Sequence, residues 1–165
     1  EFTCNYDAGW LSTYIYRDVR GKYKMCIWDF NSACDNYSHP VTEPQHFELQ
    51  YNVWYYMLSK DEDFINAVIE RYRALRQGVL SDAYLNGYMD AVVEWLGSAI
   101  DRNFSVWGYA LDKDMISPAG RNPHTHTEAV AQMKRFCTER GAWMDEHIDI
   151  LRQYSHESKN KKFNH

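Results

Sequence analysis

The sequence predicts an α+β fold that is mostly helical: an N-terminal β-hairpin followed by about four helices, in a single domain over residues 1–165. Three observations lead there. Residues 13–28 alternate aromatic or β-branched with polar side chains around a glycine turn, the period-two pattern of a hairpin. From residue 47 onward apolar residues recur at helical spacing. Hydroxyl residues and glycines then punctuate that pattern where helix caps belong.

Thr13-Tyr14-Ile15-Tyr16-Arg17-Asp18-Val19 forms the first predicted strand, and Tyr23-Lys24-Met25-Cys26-Ile27-Trp28 its return. Arg20-Gly21-Lys22 makes the turn, with Gly21 supplying a positive φ. Either phase of the return strand can face inward. From Asn31 to about Gln45 the residues are those of a loop. A first helix then runs up to Ser59 on Phe47, Leu49, Tyr51, Val53, Trp54, Met57 and Leu58. Ser59-Lys60-Asp61-Glu62 has the form of a capping box and opens a second helix. Its apolar face is Phe64, Ile65, Val68, Ile69, Tyr72 and Leu75, and Gly78 closes it. Ser81 caps a longer helix that reaches Ile100. Residues 104–124 show no sustained period and predict a loop. Thr125-His126-Thr127-Glu128 caps the last helix, which continues to Leu151 despite Gly141. Trp54, Trp95, Trp107 and Trp143 are expected in the core.

Composition narrows the function. Aromatic residues make up 16% of the chain, and the net charge is −5. That balance argues against a nucleic-acid binder, which needs an electropositive face for phosphates. The one basic run, Lys159-Asn160-Lys161-Lys162, is expected to be a solvated terminus. No run approaches the roughly 18 apolar residues of a membrane span. There is neither a signal-peptide pattern nor an initiator methionine, so the chain is expected to be a piece of a longer protein. Cys4, Cys26, Cys34 and Cys137 lack metal or framework spacing and are expected as buried free thiols, a Cys4–Cys34 bridge being the alternative. His124 and His126 are expected to face solvent, and Arg71, Arg73 and Arg76 to pair with acids. Trp10 either covers the hairpin or offers a stacking surface. No serine carries the glycine elbow or neighbouring histidine of a hydrolase.

The chemistry-bearing residues flank the hairpin. Asp7 is followed five positions later by Ser12, and the return strand runs into Asp29-Phe30-Asn31. Phosphoryl transfer uses such a pair of carboxylates, one to receive or orient a hydroxyl proton and one to hold the divalent cation on the phosphates. The order, with a catalytic aspartate, an oxygen donor five residues on, two strands and a second aspartate, agrees with a protein-kinase catalytic loop and its metal-binding aspartate. Local turn and strand-end roles for both acids are the plain alternative.

Asn5-Tyr6-Asp7, Ser12-Thr13-Tyr14-Ile15-Tyr16-Arg17-Asp18, Gly21-Lys22 and Ile27-Trp28-Asp29-Phe30-Asn31 together resemble the core of the CotH family of spore-coat protein kinases. The segments from Trp54 to Phe64, Arg71-Tyr72-Arg73-Ala74-Leu75-Arg76 and Arg140-Gly141-Ala142-Trp143-Met144-Asp145 resemble its helical lobe. The resemblance implies an atypical kinase fold, of which this chain is the C-terminal lobe. It implies transfer of phosphate from ATP to protein serine or threonine hydroxyls with Mg2+ or a similar cation. Asp7 then matches the catalytic aspartate and Asp29 the metal-binding aspartate. Ser12 stands where the family has a metal-binding asparagine, and Asn31 where it has a second aspartate; Asp35 and Asn36 are near enough in sequence to compensate. Only six residues precede Asp7. The nucleotide-binding N-terminal lobe is therefore expected to be absent from this chain, which alone is expected to be inactive, with that lobe and a protein substrate as partners. The resemblance implies a spore-coat or bacterial-surface location. A non-catalytic structural or interaction domain of such an assembly is the alternative function.

Overall fold

A computed structural model describes residues 1–37, 46–48 and 52–157. An antiparallel hairpin is followed by five α-helices among these residues, an α+β architecture dominated by helix. Strand β1 is Thr13–Arg17 and strand β2 is Tyr23–Ile27, in a register pairing Thr13 with Ile27 and Arg17 with Tyr23. The turn differs from expectation. Gly21 has no positive φ; among the described glycines only Gly9 and Gly97 do. Instead the Gly21 N–H donates to the Asp18 carbonyl (2.9 Å), and Arg17 Nε donates to the Gly21 carbonyl (2.9 Å). Glycine still suits the position, because a Cβ would sit 3.3 Å from that of Asp18.

Neither face of the hairpin is buried: Tyr14, Ile15, Tyr16, Tyr23, Met25 and Ile27 are all exposed. Tyr55 Oη reaches Met25 Sδ at 4.0 Å, and Trp28 meets Tyr14 edge-on at 6.1 Å. Alternation therefore located the strands without identifying a covered side. Cys26 is likewise exposed, contrary to the buried thiol expected.

Helix α1 is short, Val53–Leu58, capped by the Asn52 side chain on the Trp54 amide. The residues predicted to begin it, Leu49 and Tyr51, lie outside the described residues, as does the Lys159–Lys162 run. Helix α2, Glu62–Arg76, is capped by Asp61, whose carboxylate accepts from the Asp63 and Phe64 amides. Ser59 was the expected cap, but its hydroxyl donates to the Tyr56 carbonyl and closes α1. Helix α3, Asp82–Leu96, starts at the predicted Ser81 cap. It stops at Gly97, whose positive φ of 48° breaks the helix expected to reach Ile100, and α4, Ser98–Trp107, carries helix past residue 104, where a loop was expected. Helix α5 is His126–His147; a 3-10 segment, Ile148–Tyr154, follows it. Thr125 accepts from the Glu128 amide, and Glu128 reaches back to the amide of His124 at 2.8 Å.

The main core joins α2, α5 and the 3-10 segment: Ile65, Ile69 and Tyr72 meet Met144, Ile148, Leu151 and Phe47. The predicted α2 face is thus the one that packs. A second cluster of Cys4, Phe136 and Cys137, lined by Leu85 and Met89 of α3, shares Phe2 with the first. Of the expected core tryptophans only Trp143 joins the packing; Trp54, Trp95 and Trp107 are exposed, Trp95 by 83%. Apolar spacing marks a helix face but does not supply a neighbour to cover it.

Polar contacts lock α2 onto α5. Arg76 binds Asp145 through Nη2 at 2.9 Å, Asp82 at 2.9 Å and the Leu80 carbonyl at 2.5 Å. Burial opposes the charge of Asp145, but hydrogen bonds from Arg76 and from Tyr72 (2.7 Å) hold its pKa below the usual carboxylate range. Gly141 leaves room for this hub: a Cβ there would lie 2.7 Å from the Arg76 guanidinium carbon. Arg73 pairs with Asp149, so Arg73 and Arg76 do meet acids, on elements distant in sequence. No helix among the described residues is long and apolar enough to cross a membrane.

Candidate active site

Residues 6–12 make a compact turn before β1, and Asp7 organises it. Its carbonyl accepts from the amides of Trp10 and Leu11 at 3.1 Å and of Ser12 at 3.2 Å. Its carboxylate accepts from Ser32 Oγ at 3.3 Å. That bond ties the loop after β2 to the turn before β1. The hairpin thus carries the chain out and back, so the segment Asp29–Ser32 returns to Asp7.

Asp29 sits immediately before a 3-10 turn, Phe30–Ser32, with φ 51° and ψ 56°. A non-glycine residue in the left-handed region is uncommon, and such residues gather at functional sites. Its side chain is exposed and makes no capping hydrogen bond, which leaves its carboxylate oxygens open to a ligand. Asn31 is also exposed; its carbonyl accepts from Asn36 Nδ2 at 2.7 Å. Ser12, by contrast, is buried, 5% exposed, beneath the turn. Asp35 does not compensate as an extra cation ligand. Arg121, from the loop before α5, clasps it with Nη2 on Oδ1 at 2.5 Å and Nε on Oδ2 at 3.0 Å.

Neighbours that local sequence patterns do not reveal complete the surroundings. Asn5 is 4% exposed, and neither its amide nitrogen nor its amide oxygen has a partner among the described residues. A cavity of about 470 Å3 beside it is lined by Tyr6, Trp10, Phe30, Tyr55 and Phe64. Trp10 is exposed at its rim, not folded over the hairpin. Beneath the site Arg140 is fully buried, paired to Glu1 Oε1 at 2.7 Å and hydrogen-bonded to the His46 carbonyl. The unusual Asn-x-Asp and Arg-x-x-Trp spacings were the signals available for Asn5 and Arg140; Ser32 and Arg121 had none.

Gly9 shapes the turn. It has φ +84°, and a Cβ there would fall 2.9 Å from Asn52 Cγ and from a Tyr55 ring carbon. Asn52 both caps α1 and donates from Nδ2 to the Ala8 carbonyl at 3.2 Å. Gly9→Ala is therefore expected to destabilise the chain by about 1–3 kcal/mol through overpacking in a left-handed backbone. Urea denaturation would show this as a lower midpoint; an unchanged midpoint would contradict the close approach.

Among the described residues no three His, Cys, Asp or Glu side chains converge as a metal site. Mg2+ asks for less, because it binds through one or two carboxylates and fills its shell with phosphate and water oxygens. Asp29 is exposed and uncapped, Asn31 beside it is exposed, and Asp7 is joined to the same loop through Ser32.

No curated protein and no solved structure matches the chain. The model of the CotH kinase proteins matches residues 1–144, which include the turn, the hairpin, the Asp29 loop and most of α5. The chain belongs to the CotH kinase protein family.

Proposed function

We propose that this chain is the C-terminal lobe of an ATP-dependent protein serine/threonine phosphotransferase. The Ser32–Asp7 hydrogen bond carries the reading, because it couples the Asp29 loop to Asp7 across the hairpin. Asp7 receives or orients the proton of the acceptor hydroxyl. Asp29, with Asn31, would hold Mg2+, which when bound would neutralise charge on the transferring phosphoryl group. Ser12 contributes least, since its side chain is buried. The exposed apolar hairpin supports a nucleotide-binding lobe seated above it. Membership of the CotH kinase proteins supports a protein of the spore coat or bacterial surface as the acceptor.

A second reading has its own observation. The withdrawal of Ser12 and the capture of Asp35 by Arg121 leave few cation donors, which favours a non-catalytic interaction domain. Nucleotide binding by the intact protein separates the two. Calorimetric titration is expected to show ATP binding that requires Mg2+ and weakens at least about tenfold in Asp29→Ala. No binding at millimolar nucleotide would overturn the phosphotransferase reading and leave the interaction domain.

A further inference from the structure

The cavity beside the Asp7 turn holds an unanswered polar group. Asn5 lines it at 4% exposure, and neither Nδ2 nor Oδ1 has a partner among the described residues. A buried amide left this way is costly, and a fold that keeps one calls for an explanation. Asn52, Glu1 and Glu48 also line the cavity, but they are engaged elsewhere. Asn52 caps α1 through Oδ1 and donates from Nδ2 to the Ala8 carbonyl. Glu1 is bound by Arg140, and Glu48 meets His46 at 2.6 Å. The remaining wall is mainly aromatic, from Tyr6, Trp10, Phe30, Tyr55 and Phe64. At about 470 Å3 the cavity has the size of a small-molecule site, for which roughly 300–1,000 Å3 is usual.

We propose that this cavity is a subsite for a tyrosine side chain of a bound protein, the acceptor in the phosphotransferase reading. A phenol carries one polar atom, which donates and accepts at once. It can therefore answer Oδ1 and Nδ2 of Asn5 together, while its ring meets the aromatic walls. A phenylalanine ring would fill the same space and leave the amide unanswered. A nucleotide base would press several ring nitrogens against walls that are mostly apolar, at a cost in desolvation. The position suits a recognition residue of the acceptor. Tyr6 and Ala8 flank Asp7, and Phe30 follows Asp29, so a side chain held there lies beside both acids. Trp10 is exposed at the rim and supplies an entry face. The hydroxyl that takes phosphate is a separate serine or threonine facing Asp7. Assigning the tyrosine to an acceptor rests on the phosphotransferase reading; the affinity of the cavity for a phenol does not.

The test titrates the whole isotope-labelled chain, without nucleotide, with N-acetyl-tyrosinamide and separately with N-acetyl-phenylalaninamide. The side-chain amide resonances of Asn5, assigned by their loss in Asn5→Leu, report occupancy by NMR. The expected result is a saturable shift with the tyrosine probe, at an affinity at least about tenfold above that of the phenylalanine probe. Asn5→Leu should bind the two probes about equally. Equal affinities in wild type would overturn the proposal, whether or not Asn5→Leu folds. So would a tyrosine preference that survives in Asn5→Leu, or the absence of a saturable shift up to the solubility limit. A tyrosine preference in a protein that fails to bind Mg2+-ATP would uphold the subsite and sink only the phosphotransferase reading.

Discussion

Arg140→Ala should destabilise the chain by about 3–5 kcal/mol, the cost of breaking a buried ion pair from one side. The guanidinium is fully buried, with its charge answered by Glu1 Oε1 and by the carbonyls of Glu1 and His46. It lies 5.1 Å from the centre of the Trp143 ring and 5.8 Å from that of Phe47, so it joins the apolar core as well as the ion pair. Alanine would leave a carboxylate and two carbonyls facing a cavity, and would loosen residues 46–48 from α5. Urea denaturation followed by circular dichroism should show a large fall in midpoint at little-changed slope. Arg73→Ala is the control: its pair with Asp149 is half exposed on both sides, and such pairs contribute about 1 kcal/mol or less. Equal losses in the two variants would mean that burial of Arg140 is not what gives it weight.

The contrast between these arginines also explains what the sequence could reveal. Helix faces are local: Ile65, Ile69 and Tyr72 recur at a period that packing then uses, and Ser81 and Thr125 cap where their neighbours predict. Ser59 misled because two helices meet there; a hydroxyl that ends one cannot also begin the next. The exposed Trp54, Trp95 and Trp107 misled for another reason, since periodicity describes one element and burial needs two. The site divides the same way. The strands between the two candidate aspartates were legible in their alternation, and the aspartates were singled out because their order along the chain resembles that of a kinase. The partners that set their surroundings were not: Ser32 is 25 residues from Asp7, Arg121 is 86 from Asp35 and Arg140 is 139 from Glu1. Such contacts join segments that only the folded chain brings together.

The proposed division of labour between the two aspartates predicts two different failures. Asp7→Asn in the intact protein should lower phosphoryl transfer by about 10²–10⁴-fold, the usual contribution of a positioned acid or base. It should leave Mg2+-dependent ATP binding near that of wild type. Asparagine is nearly isosteric and keeps an oxygen for the Ser32 hydroxyl, while the Asp7 carbonyl that gathers the amides of Trp10, Leu11 and Ser12 is backbone and unaffected. What disappears is the negative charge that a departing hydroxyl proton needs. A residue acting only in the chemical step lowers kcat without moving the KM for nucleotide, whereas Asp29→Ala should lose binding itself. If Asp7→Asn transfers phosphate as fast as wild type, Asp7 is a structural turn residue. The reaction would then need another base, and two nearby carboxylates are already engaged, Asp35 with Arg121 and Glu1 with Arg140.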